Sequence, residues 1–181
     1  SMYFNNALSL SKVNENMKAL EMLDKYLEYD YDLINYSKAI LLKANCYSRL
    51  KNLEIAKELY LQASSLALEK KDYGNHCLAL SNIIDVIITK NLTKSESSIT
   101  KVNYYINTID KILKTRKINE SILARIFESI AIAYFYVEKN DMAKKYFAKS
   151  SKLYLKHKEY NNYLSVLYKA VDSYYQLNDC E

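Results

Sequence analysis

Between Ser37 and Lys70 the sequence carries two amphipathic helical patterns in which small and large apolar residues recur at one fixed spacing. Small residues let two antiparallel helices approach closely, and large residues fill the space that remains between them. The pattern therefore predicts a helix hairpin whose remaining apolar face needs neighbouring hairpins to cover it. Counted from Ser37 as position 1, the small residues at positions 8, 20 and 27 are Ala44, Ala56 and Ala63, and the large residues at positions 4, 11 and 24 are Ile40, Tyr47 and Tyr60.

The chain has 181 residues, no proline and a single glycine, Gly74. Proline and glycine punctuate sheets, sandwiches and phosphate-binding loops, so their near absence predicts an all-α chain. Helix starts must then be marked by Asn, Asp and Ser caps. The candidates, each of which precedes a new apolar period, are Asn14, Asn52, Asp72, Asn140 and Asn161.

Copies of the hairpin pattern run through the rest of the chain. We predict one domain over residues 1–181, with repeats at about 1–36, 37–73, 74–123 and 124–163 and a final capping helix at 164–181. The expected fold is a right-handed α-solenoid of about nine antiparallel helices. Because the chain opens inside a helical pattern, we expect it to be the C-terminal part of a longer protein.

The third repeat and the end of the chain depart from the pattern. A polar run from Asn91 to Ser98 predicts a long surface loop before a helix at about 98–115. The final helix, Asn161 to Leu177, has no partner helix after it. It either caps the stack or leaves an apolar surface for another molecule, and we expect a homodimer. The residues of the 98–115 helix expected to face inward are Val102, Ile106, Ile109 and either Ile112 or Leu113.

No catalytic or metal-binding constellation is present in the sequence. His76 and His157 are far apart and have no Cys or carboxylate at ligand spacing, so we interpret both as surface or helix-end histidines. A glycine-rich phosphate loop is also absent. We therefore expect a protein that is not an enzyme and that uses no cofactor or metal.

Charge, cysteine content and hydropathy predict a cytoplasmic protein. The longest apolar run, residues 130–137, is well short of the ~20 residues that span a bilayer. The three cysteines, Cys46, Cys77 and Cys180, are odd in number and lack paired spacing, which favours reduced thiols. The net charge is +5, and its densest source is one lysine-rich helix near residues 144–158, which we interpret as a solvated face and not a nucleic-acid stripe.

The hairpin spacing resembles that of tetratricopeptide repeat proteins, and this resemblance implies that the first helix of each repeat lines the concave side of the stack, which is the candidate binding site. Asn45 and Asn82 recur at position 9 of adjacent repeats, where an amide can pair with the main chain of an extended peptide. The alternative is a pair of solvated asparagines in an Asn-rich chain. Cationic residues would engage a carboxylate and apolar ones would form pockets. The predicted peptide-binding residues are Lys38, Leu41, Asn45, Arg49, Leu78, Asn82, Asp85, Arg125, Glu128, Phe135, Tyr168 and Asp172.

The hairpin spacing resembles that of tetratricopeptide (TPR) repeat proteins over nearly the whole chain, although Trp at position 4 and Pro at position 32 are missing. The long repeats, the two position-9 asparagines and the composition typical of an AT-rich bacterium resemble the C-terminal sensor domain of RRNPP-type quorum-sensing regulators of Gram-positive bacteria. That resemblance implies a short signalling peptide in the concave groove and an N-terminal effector, often a helix-turn-helix domain. Only Asn45 and Asn82 match by motif, and no effector is recognisable in this chain.

Two functions remain open from the sequence. The first is the sensor domain of a peptide-responsive transcriptional regulator, with no direct contact to nucleic acid or membrane by this segment. The alternative is a TPR scaffold or adaptor that holds a protein partner without a peptide signal. Leu41 occupies a position where a carboxylate-clamp adaptor would need lysine, which argues against that adaptor subtype.

Overall fold

The computed structural model describes residues 2–29, 35–91 and 93–178, and over these residues the protein is all-α, as the sequence predicts. Connections of a few residues make the successive helices of each hairpin antiparallel. The chain divides into two compact units, Ser1–Val86 and Ile87–Glu181, with the division inside the fifth helix. The described residues form nine helices: α1 (Met2–Lys12), α2 (Asn16–Tyr29), α3 (Tyr36–Arg49), α4 (Leu53–Glu69), α5 (Tyr73–Lys90), α6 (Glu96–Thr115), α7 (Glu120–Tyr136), α8 (Asn140–Lys156) and α9 (Tyr160–Asn178).

Within each unit the helices contact their neighbours in chain order, as in an α-solenoid. In the first unit α1 packs on α2, α2 on α3 and α3 on α4. Its core includes Leu23 and Tyr26, both fully buried, and the Tyr26 ring lies 5.6 Å from that of Phe4. In the second unit α6 packs on α7, α7 on α8 and α8 on α9.

The small residues of the hairpin pattern are buried where helices approach. On α3 and α4, Ala44, Ala56 and Ala63 are at most 2% exposed. In the second unit Ala143 is equally buried, and Ser150 donates its hydroxyl hydrogen bond to the Ala124 carbonyl at 2.8 Å. The structure thus confirms that the spacing marks the close contacts of the α3–α4 and α7–α8 hairpins.

The predicted caps are largely wrong, because the turns use a different device. Asn14 has a positive φ, and Asn140 and Asn161 lie inside their helices. Asn52 does occupy the N-cap position of α4 but makes no side-chain capping bond. Only Asp72 acts as expected, since its Oδ1 accepts from the backbone N–H of Asn75 at 3.1 Å. The side-chain caps that the sequence reading missed are Ser95 on α6 and Asn119 on α7.

Five of the hairpin turns share one Schellman geometry. After α3, the Asn52 N–H donates to the Tyr47 carbonyl and the Lys51 N–H to the Ser48 carbonyl, at 2.9 and 3.0 Å. A residue with φ between 57° and 64° makes each turn possible, although none is glycine. These residues are Asn14, Lys51, Lys71, Glu138 and Lys158.

The two helices whose bounds the sequence predicts, 98–115 and 161–177, are confirmed to within two residues as α6 and α9. The loop before α6 is shorter than expected, since α6 begins at Glu96. Val102, Ile106 and Ile109 are buried as predicted, and Ile112 and Leu113 are both half-buried. Cys46 and Cys77 are buried thiols without a disulfide, and burial raises the pKa of Cys77 to about 12. Cys180 and the side chains of Tyr174 and Leu177 lie outside the described residues.

Candidate functional site

Asn45 on α3 and Asn82 on α5 are in direct contact within the first unit. The Asn82 Nδ2 donates to the Asn45 Oδ1 at 3.1 Å, and the Tyr60 hydroxyl donates to the same oxygen at 2.7 Å. Both asparagines are half-buried. Among the residues that the structure describes, the Asn45 Nδ2 and the Asn82 Oδ1 make no hydrogen bond. The pair therefore presents one amide donor and one amide acceptor, which is the complement of a peptide group.

The other predicted residues of the first unit lie in different environments. Lys38 is exposed and Asp85 is half-buried. Leu41 and Leu78 are 5% and 4% exposed, so they offer little area to a ligand. The Arg49 guanidinium binds Ser11, with its Nη1 at 2.7 Å from the carbonyl and 2.8 Å from the hydroxyl, and so links α3 to α1.

A cleft of about 330 Å³ lies within the second unit. It is bordered by α7 and α9, by the end of α5 and by the segment before α6. Three of these elements, α5, α7 and α9, are the helices that the sequence predicts to line the concave side. The lining residues are Ile88, Lys94, Ile132, Phe135, Tyr136, Lys169, Asp172 and Ser173.

The Tyr136 hydroxyl holds one wall of the cleft in place. It donates to the Asn91 carbonyl at 2.9 Å and lies 2.7 Å from the Ser98 hydroxyl. Ser98 in turn completes a capping box with Ser95 at the start of α6. These bonds fix the segment that carries Lys94, whose Nζ lies 3.0 Å from Glu138 Oε1.

An ion pair between α7 and α9 positions the opposite wall of the cleft. Lys169 on α9 donates to Glu128 on α7, and the Tyr154 hydroxyl of α8 donates to the other Glu128 oxygen at 2.9 Å. The Glu128 side chain is only 16% exposed. Burial, together with the Glu128 charge, raises the pKa of Tyr154 above the ordinary tyrosine value.

The cleft therefore combines an apolar floor with charge at its rim. Ile88, Ile132 and Phe135 are half-buried and supply the apolar area. Lys94 and Lys169 place two ammonium groups on the same cleft as the Asp172 carboxylate. Such a site suits a ligand with an apolar side chain and a nearby acidic group.

The structure brings some of the predicted residues of the second unit together. Phe135 and Asp172 line the cleft, and Glu128 acts on it by holding Lys169. Arg125 is exposed on α7 and Tyr168 is 72% exposed on α9, and neither lines the cleft.

Sequence reasoning missed several cleft residues. Lys169 precedes Asp172 by three positions, so it shares a helix face with a predicted residue, and Ser173 follows Lys169 by four. That spacing was the signal available for them. Ile88 lies in the last turn of α5 and Lys94 in the irregular connection before α6, where the repeat pattern no longer specifies which residues share a face.

His76 and His157 both lie at helix ends, as expected. His76 lies in the first turn of α5 and is buried, with Nδ1 2.9 Å from the Ser64 hydroxyl, because it packs against α4. His157 does lie at the exposed end of α8, 3.0 Å from Glu120. Over the described ranges there is no cluster of His, Cys, Asp or Glu able to hold a metal ion. None of the helices in the described parts of the chain is long and apolar enough to cross a membrane.

Comparison with known proteins gave no match, either to a protein-family model or to a curated protein sequence.

Proposed function

We propose that this chain is a peptide-binding helical repeat domain. The cleft of the second unit carries the proposal, because it places half-buried apolar side chains of α5 and α7 beside two ammonium groups, Lys169 on α9 and Lys94 in the segment before α6. An extended peptide would insert an apolar side chain over Ile132 and Phe135. A peptide carboxylate would then compete with Glu128 and Glu138 for Lys169 and Lys94.

The asparagine pair of the first unit supports the same function. Side-chain contacts give a peptide site its selectivity, whereas contacts to the main chain give affinity for any sequence. The Asn45 Nδ2 and the Asn82 Oδ1 have the donor and acceptor needed for one peptide group. The asparagine pair of the first unit would thus bind the main chain of a peptide.

We propose further that the domain senses a short signalling peptide in the cytoplasm and controls an effector outside this segment. This follows from the resemblance to RRNPP-type regulators together with the two asparagines. The peptide would bind one arrangement of the helices more tightly than another and so shift their population.

Fluorescence anisotropy with labelled synthetic peptides of five to ten residues tests the binding function. The peptides should carry apolar residues and an acidic group, such as a C-terminal carboxylate. Ile132→Ala is the test variant, because it removes apolar area from the cleft floor. Ile55→Ala on α4 is the matched control, since Ile55 is 44% exposed and lies outside the cleft.

We expect Ile132→Ala to weaken the binding of the best peptide by about 10-fold, which corresponds to roughly half of a buried isoleucine. The control variant should bind as the wild type does. Equal affinity of the two variants would exclude the cleft as the site. Failure of every peptide, combined with stoichiometric capture of one folded protein, would favour the scaffold function instead.

A further inference from the structure

The outward side of α9 carries an apolar stripe that nothing in the described chain covers. Its six residues are between 38% and 72% exposed, although all are large and apolar or aromatic. At 100° per residue they occupy an arc of about 100° along about 22 Å of helix. The stripe consists of Tyr160, Leu164, Leu167, Tyr168, Val171 and Tyr175.

The stripe is separate from the face that holds α9 in the fold. That inner face carries Val166 and Ser173, which are buried, and Tyr163 and Ala170, which are half-buried. It packs on α8 and, through Lys169, is bonded to Glu128. A helix with two apolar faces is expected to pack against two partners. The described chain supplies a partner for the inner face only.

The spacing of the stripe is palindromic. Its successive intervals are 4, 3, 1, 3 and 4 residues, so the order is the same in both chain directions. An identical helix laid antiparallel across a two-fold axis near Leu167 and Tyr168 therefore sets apolar residue against apolar residue along the whole stripe. Tyr160 meets Tyr175 of the second copy, Leu164 meets Val171, and Leu167 meets Tyr168. A two-fold interface requires this self-complementarity, whereas an unrelated partner does not.

Charge and area agree with a second copy as the occupant. Between Tyr160 and Asn178 the sequence has only two charged residues, Lys169 and Asp172, and neither belongs to the stripe. No like charges would therefore face each other across the axis. An aromatic side chain buries about 150–250 Å², so the stripe offers on the order of 600 Å² per protomer, near the ~800 Å² of a standard interface.

We propose that the α9 stripe is the interface of an antiparallel homodimer of this chain. The inference does not depend on peptide binding, because the stripe and the cleft share no residue. Sedimentation velocity of the 181-residue chain tests it. The wild type should sediment as a dimer at micromolar concentration.

Charge substitutions then distinguish the antiparallel arrangement from any other. L164K or V171E alone should weaken self-association at least 100-fold, because each buries unpaired charges in the interface. An equimolar mixture of the two variants should form a heterodimer, and the double variant L164K/V171E should dimerise again. Only the antiparallel register pairs position 164 of one copy with position 171 of the other.

S165K is the matched control, since Ser165 is exposed on the same helix but lies off the stripe. It should leave the dimer intact, and circular dichroism should give the same helix content for all variants. A wild-type chain that stays monomeric at 100 micromolar would overturn the proposal. A double variant that remains monomeric, while both single variants are folded, would overturn the antiparallel arrangement.

Discussion

The side-chain amide of Asn82 donates a hydrogen bond to the Oδ1 of Asn45, 37 residues earlier in the chain, at 3.1 Å. The same oxygen accepts the Tyr60 hydroxyl at 2.7 Å. One acceptor atom thus joins α3, α4 and α5 within the first unit. Asn45 is the centre of this arrangement, and Asn82 is one of its two donors.

Asn45→Ala should therefore destabilise the protein more than Asn82→Ala does. Loss of Asn45 removes the acceptor of two hydrogen bonds and should cost about 1–2 kcal/mol, whereas loss of Asn82 should cost about 0.5–1 kcal/mol. Urea unfolding of the single and double variants measures both values. We expect the double variant to cost less than the sum, because both changes remove one shared bond. A loss of stability in the double variant equal to the sum of the two single losses would contradict the coupling between Asn45 and Asn82.

The close approach of α7 and α8 predicts that two alanine-to-leucine substitutions on α8 differ in their effect on stability. Ala143 on α8 is 1% exposed, so Ala143→Leu should overpack the hairpin and lower the free energy of unfolding by about 1–3 kcal/mol. Ala148 lies on the same helix and is exposed, so Ala148→Leu is the matched control and should change stability by less than about 0.5 kcal/mol. Thermal unfolding followed by circular dichroism compares the stability of the two variants. Equal losses of stability would argue against the close approach of α7 and α8.

The hairpin cores could be predicted from the sequence, because the positions of Ala44, Ala56 and Ala63 encode helix contact directly. The turns could not. Nothing in the sequence distinguishes Lys51 and Lys158 from other surface lysines. Their left-handed conformation is imposed by the Schellman bonds around them. Composition indicated that glycine was nearly absent, but it did not indicate that other residues adopt glycine's conformation.

Those turns give a third prediction. A non-glycine residue in the left-handed region costs about 1 kcal/mol, so Lys158→Gly should stabilise the protein by about 0.5–1 kcal/mol. Lys152→Gly, at an exposed site inside α8, should instead destabilise it by about 1 kcal/mol. Chemical denaturation of the two variants measures both changes in the free energy of unfolding. A loss of stability in both would mean that the turn does not require the left-handed conformation.

Asp110 on α6 accepts hydrogen bonds from two tyrosines, Tyr134 at 3.1 Å and Tyr146 at 3.0 Å. Burial raises the pKa of Tyr134 to about 12, and the Asp110 charge adds to the effect. The same two causes raise the pKa of Tyr146. An unfolded tyrosine titrates near pH 10, so these groups contribute stability that is fully present below pH 10 and is lost as pH rises towards 12.

Asp110→Asn should lower the pKa of Tyr134 from about 12 while leaving it above 10, because burial remains. Spectrophotometric titration of tyrosine ionisation measures the shift. Alkaline unfolding of the variant should also begin at a lower pH than that of the wild type. Asp141→Asn, which removes an exposed carboxylate from α8, is the control. A titration curve unchanged by Asp110→Asn would contradict the electrostatic contribution.

The candidate site could be predicted from the sequence only where its residues lie on regular helices. Phe135 and Asp172 lie on regular helices, where position in a repeat specifies a face, and both line the cleft. Arg49 was expected to meet a ligand carboxylate, but a serine on α1 already occupies its Nη1. Such a contact between side chains 38 residues apart depends on tertiary packing and leaves no local pattern in the sequence.

The central claim is that the cleft of the second unit binds peptide. Methyl NMR of isoleucine-labelled protein tests it most directly, because Ile88 and Ile132 line the cleft and Ile55 does not. On titration with the tightest-binding synthetic peptide, the account predicts saturable shifts at Ile88 and Ile132 and an unchanged signal from Ile55. Saturable shifts elsewhere, with Ile88 and Ile132 unaffected, would contradict it.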